Sequence, residues 1–143
     1  MNRKEISEAL VGRRPLPPLS PSGVWRVDLG KHIEVLDCGE LLKAGLHLWN
    51  DELSLSHEIA QKNENRDGNY LHAILHRREG DFENSRYWLQ RIKHHPVWEK
   101  MTVRFPEWTA EAFVEWCRDR KKPQEELLEF QALEMRYLLD HLT

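Results

Sequence analysis

The sequence predicts an all-α fold built from antiparallel helical hairpins. Apolar residues recur at helical spacing from Asp37 to the C-terminus, and short polar, Gly or Pro breaks interrupt that pattern. Connections this short join antiparallel neighbours. At 143 residues, with 40% hydrophobic and 31% charged content, the chain is long enough for one real core. Six Trp supply large anchors for it.

Residues 1–23 read as an N-terminal arm. Its run Pro15-Leu16-Pro17-Pro18-Leu19-Ser20-Pro21 is expected to be extended, because proline fixes φ and withholds backbone donors. The remainder, 24–143, reads as a single helical domain. It opens on Val24–Leu29 and His32–Leu36 around Gly30-Lys31, where partial alternation permits a short β-hairpin or an extended segment over the helices.

The helical pattern follows. Asp37 and Glu40 have capping-box spacing, ahead of Leu41, Leu42, Leu46 and Trp49. A second helix is expected from Asp51 to about Lys62, ended by the polar run Asn63–Gly68. The third covers about Asn69 to Glu79 and breaks at Gly80-Asp81. Asp81 then caps a helix that buries Phe82, Ser85, Trp88, Leu89 and Ile92. Pro96 opens a short helix that ends before Pro106, and Thr109 caps another carrying Phe113, Trp116 and Cys117. Pro123 stands at the first position of a long final helix with the stripe Leu128, Ala132, Met135, Leu139 and Leu142.

Chemistry concentrates on the third helix. Asn69, His72, His76 and Glu79 lie at spacings of 3, 4 and 3, which places them on one face. In a hairpin of the second and third helices, residues equidistant from the turn lie level, so His57 is expected opposite His72. Three imidazoles with Glu79 or Glu58 would suit Zn²⁺ or non-haem Fe²⁺. The order His57-Glu58…Gln61 is not the HExxH motif, and a metal-free polar pocket is the expectation, with a metal as its alternative. Gln61, Asn69, Arg77 and the fourth-helix stripe Asn84, Tyr87, Arg91 and His95 are expected to rim that pocket. Arg77 and Arg78 with Glu79 and Asp81 read as a salt-bridge lattice.

The segment Gly80-Asp81-Phe82-Glu83-Asn84-Ser85, followed by Arg86-Tyr87-Trp88, resembles the turn and second helix of a tetratricopeptide-type hairpin. Ala73 and Pro96 fit the same register, whereas His72 and His76 stand where such repeats place Leu and an aromatic. One copy is recognisable, and a binding solenoid needs several. More broadly, SHEIAQ…GNYLHAILHRREGDFENSRYWLQRIKHHPVW resembles an uncharacterised family of small, mainly microbial proteins with a HAI-HRxEGD…N…YW…R…HP signature. The resemblance spans residues 40–98. It implies that His57, His72, His76, Arg77, Glu79, Asp81, Asn84, Tyr87, Trp88, Arg91 and His95 are positions to inspect, and it brings no catalytic role.

Several function classes are disfavoured. The net charge of −3 and interleaved acidic residues argue against nucleic acid. No apolar run approaches the ~20 residues of a membrane span, and no secretory h-region is apparent. Cys38 and Cys117 form no CxxC pair, which points to a reduced, cytoplasmic setting. No Walker loop or GxGxxG occurs. The expected function is therefore ligand or protein binding through a His-rich pocket, the alternative a metal-dependent hydrolase on the same histidines. The small-molecule or protein partner and any catalytic residue are unassigned.

Overall fold

The computed structural model describes residues 1–143 and is all-helical, with nine helices and no strand. In chain order these are α1 (Arg3–Val11), α2 (Val27–Glu34), α3 (Glu40–Trp49), α4 (Leu53–Ala60), α5 (Arg66–Arg78), α6 (Phe82–Gln90), α7 (Pro96–Arg104), α8 (Ala110–Asp119) and α9 (Gln124–Leu142). Helix α5 is the central element, and every residue from Gly68 to Arg78 is buried. Helices α4 and α6 pack on it as the two neighbours of a three-helix meander, while α3 lies against α4 and α9.

Hydroxyls fix the spacing of that meander. Ser56 Oγ donates to the Ala44 carbonyl of α3 at 2.9 Å, and Ser85 Oγ donates to the Ala73 carbonyl of α5 at 2.6 Å. Both serines are buried, so losing either bond would leave a carbonyl without that donor. The helix starts obey local chemistry. The side chains of Asp81, His95 and Thr109 accept from backbone N–H groups of the following turn, and Pro96 occupies the first turn of α7.

Four expectations are corrected. First, residues 3–11 of the arm are helical: Asn2 and Glu5 close a capping box, and Ile6 and Leu10 enter the core. The proline run beyond is pinned rather than free, because Arg78 Nη2 donates to the Pro18 carbonyl and Gln131 Nε2 to those of Pro17 and Pro18. Second, the suggested β-hairpin is helix α2. Gly30 is not a turn residue but a point of close approach, where an added Cβ would lie 2.5 Å from a Glu52 carboxylate oxygen. Third, Asp37 caps nothing; Gly39 is the N-cap of α3 and makes no side-chain bond. Fourth, α5 starts three residues early, since the Asn65 side chain accepts from Gly68 N at 2.9 Å and turns the expected loop into a first helical turn.

Candidate metal centre

The α4–α5 turn decides how the two helices face each other. At Gly68 a Cβ would meet the Asn63 carbonyl oxygen at 1.8 Å, so only glycine allows the backbone of α5 to pass so close to the end of α4. With that register, His57 of α4 faces His72 and His76 of α5. Ring centroids lie 4.8 Å apart for His57–His72 and 5.5 Å for His57–His76, both edge-to-face. The two α5 rings, one turn apart, are 5.5 Å apart and nearly parallel at 9°.

One ligating nitrogen from each of the three rings falls within 4.8 Å of the others. A tetrahedral zinc ion needs nitrogens about 3.4 Å apart, given bonds of ~2.0–2.1 Å, so modest side-chain rotation closes the set. No hydrogen bond joins one imidazole to another. His72 is 3% exposed, and its Nδ1 is buried with no partner. Burial first, then the charges of His57 and His76, pushes its imidazole from the usual 6.5 down to about 4. His72 is therefore neutral at neutral pH.

His76 is held differently. Glu79 Oε2 lies 3.0 Å from its Nδ1 and accepts that proton, which leaves Nε2 as the acceptor nitrogen of the ring. The Asn84 amide sits 3.4 Å from Nε2, at the long limit of hydrogen bonding. Glu79 lies outside the converging set: it reaches His76 alone, and its side chain is 40% exposed. Trp88 roofs the site, stacked on His72 with centroids 4.1 Å apart.

No family model matches the chain, and no curated protein or solved structure matches it. Function must be argued from the residues themselves.

The expected pocket rim is only partly assembled. Asn84 touches His76, and Tyr87 and Arg91 flank Trp88, with Arg91 Nη1 donating to the Tyr87 hydroxyl at 3.1 Å. Asn69 is buried with its Oδ1 unpartnered, and Gln61 is exposed just past α4. Arg77 and His95 point elsewhere and are corrected. Arg77 pairs with Glu134 at 2.9 Å and covers the Phe113 ring, because α5 is surrounded by protein on every side. None of the five main clefts is lined by His57, His72 or His76.

His95 belongs to a second cluster with Asp67 and His141 that sequence reading missed. Its Nδ1 accepts from Val97 N at 3.1 Å, so in the neutral ring the proton sits on Nε2 and goes to Asp67 Oδ1 at 2.8 Å. His141 Nε2 lies 3.1 Å from the same oxygen. Here the polar atoms satisfy one another, and the arrangement is a cap-linked hydrogen-bond network.

Also missed was a buried charge node. Asp51 takes Arg78 Nη2 at 2.6 Å and Arg13 Nη1 at 2.9 Å, and Arg78 Nη1 donates to the Leu48 carbonyl at 2.7 Å. Burial pulls the Arg78 guanidinium down to about 10 despite Asp51, so it remains charged at neutral pH. The cysteines are inert by comparison, since burial raises both Cys38 and Cys117 above the usual thiol range.

Proposed function

We propose that this chain binds a single divalent transition-metal ion through His57, His72 and His76. The supporting observation is the convergence of three imidazoles that do not bond one another, with His72 Nδ1 buried and unsatisfied. A buried polar atom without a partner is uncommon and costs roughly 1–3 kcal/mol. A coordinated ion would remove that cost by bringing the rings onto one centre. The Glu79–His76 bond supports the same reading, because a carboxylate on the far nitrogen fixes the tautomer and orientation a ligand needs.

All-nitrogen donors on a helical pair suit Zn²⁺, with Co²⁺ as its spectroscopic substitute. Three protein ligands leave one position of a tetrahedral shell free, and this supports a hydrolytic use of the ion as the second reading. Zinc titration of protein purified without an affinity tag tests the binding. The expected result is one ion per chain, with tetrahedral visible bands on Co²⁺ loading. In His57→Ala, which removes a half-buried side chain at the edge of the set, affinity should fall at least a hundredfold. Unchanged affinity in His57→Ala, or no stoichiometric uptake by the native chain, would overturn the assignment.

A further inference from the structure

Away from the histidines, a cleft of about 360 Å³ opens where five segments meet: the end of α1, the arm, the end of α3, the end of α7 and the middle of α9. This is the size range of small-ligand sites. Three arginines line it, Arg14, Arg104 and Arg136, and none of them makes an ion pair anywhere in the molecule. Six arginines outside the cleft, Arg13, Arg26, Arg77, Arg78, Arg86 and Arg118, hold carboxylates. Glu129 is the one acid of the cleft, so its lining carries a formal excess of two positive charges.

The rest of the lining is apolar, with Leu16, Phe105 and Leu133 among its residues. Trp49, 2% exposed, adds part of its ring to that apolar wall. Arg104 and Arg136 make no hydrogen bond or ion pair, and Arg14 spends one donor on the Arg13 carbonyl at 2.7 Å, so the cleft holds guanidinium donors free to take an anion. We propose that this cleft binds a small amphipathic anion: a carboxylate or phosphate held by the arginines, with a short hydrocarbon body against Leu16, Phe105 and Leu133. The proline arm then has a role, since Arg14 and Leu16 form one wall and Pro17 and Pro18 are pinned to α5 and α9. The proposal is independent of the metal reading, since no residue is shared.

Calorimetric titration of the full chain with octanoate, octyl phosphate, octanol and acetate tests it. One octanoate or octyl phosphate should bind per chain, with octanol and acetate each at least tenfold weaker, a difference of about 1.4 kcal/mol. Which anion binds tighter tells a carboxylate ligand from a phosphate one, and either result supports the cleft. Arg104→Gln with Arg136→Gln should weaken the anions at least tenfold and leave octanol unchanged. Both arginines are exposed and make no hydrogen bond, so the double variant keeps the fold, which circular dichroism checks. Equal binding of octanol and octanoate, equal binding of acetate and octanoate, or an indifferent double variant would each overturn the proposal.

Discussion

The His72 imidazole lies flat against the Trp88 indole, with 4.1 Å between centroids and 3° between planes. This stack couples all three helices of the meander, because α6 carries the indole, α5 the imidazole, and His57 of α4 meets the His72 ring edge-on at 81°. The indole stacks on His72, the His76 ring lies nearly parallel to it at 5.5 Å, and His57 meets it edge-on. A ring so confined has few orientations left, which lowers the entropy lost when its nitrogen takes a ligand.

Replacing Trp88 therefore tests the geometry twice. Trp88→Ala should cost about 2 kcal/mol in a denaturant titration, from lost apolar area and the lost stack. Trp88→Phe keeps most of the fold and removes the indole next to the proposed centre. If Cu²⁺ occupies the three imidazoles, it should quench native tryptophan emission strongly and that of Trp88→Phe weakly. Equal fractional quenching in the two proteins would place the ion elsewhere.

Gly68→Ala addresses how α5 is set against α4. The added methyl carbon would stand 1.8 Å from the Asn63 carbonyl oxygen, and backbone atoms cannot rotate away as a side-chain tip does. The expected cost is about 1–3 kcal/mol, the usual range for overpacking. The displaced hairpin should also lose zinc affinity, although no imidazole has been changed. A variant with native stability and native affinity would show that the turn does not set the ring positions.

Much of this arrangement was legible in the chain and some was hidden for physical reasons. The caps Asp81 and Thr109 and the start at Pro96 act through bonds within one turn, so short-range patterns reveal them. The level placement of His57 and His72 follows from hairpin symmetry alone. Helix α2 was obscured because its helicity rests on Leu29 and Ile33 entering the core, while Gly30 is small for the sake of Glu52 on another segment. Arg77 and Arg78 look like surface charge beside Glu79 and Asp81. They are buried because Glu134 and Asp51, distant in sequence, reach them, and no local pattern shows that partnership.

Acid should weaken the fold through the Asp67–His95 network. Burial holds the His95 imidazole below its usual range, partly offset by Asp67, with His141, Arg66 and Tyr70 also facing it. The unfolded chain then takes up the proton first, so stability is full above about pH 6.5 and declines as pH falls toward the folded value. The bond from His95 holds the Asp67 carboxyl below its usual value, so a second loss begins under about pH 4. His72 acts in the same direction, and the informative quantity is a difference between proteins. His95→Asn keeps a cap acceptor and removes the titration. Its urea midpoint should fall less than that of the native chain between pH 6.5 and 4.5. Parallel curves would exclude His95 from the acid response.

Asp51 carries the largest expected stability effect. One carboxylate, with its side chain 4% exposed, faces two buried guanidinium groups, so α5, Arg13 just past α1, and the proline arm through Arg78 all close on that point. Its backbone also lies in the left-handed region, at φ 62°, which Asn tolerates nearly as well as Asp. Asp51→Asn therefore keeps size and backbone conformation while deleting the charge. Two positive groups would then remain buried without compensation, at a cost of about 3–5 kcal/mol. Arg13→Met should cost less, because it leaves Arg78 and Asp51 as a closed pair. Chemical denaturation of both variants gives the order directly. If Arg13→Met were the more damaging, packing of its stem under Trp25, where the guanidinium lies 4.4 Å from the ring centroid, would outweigh the charge node.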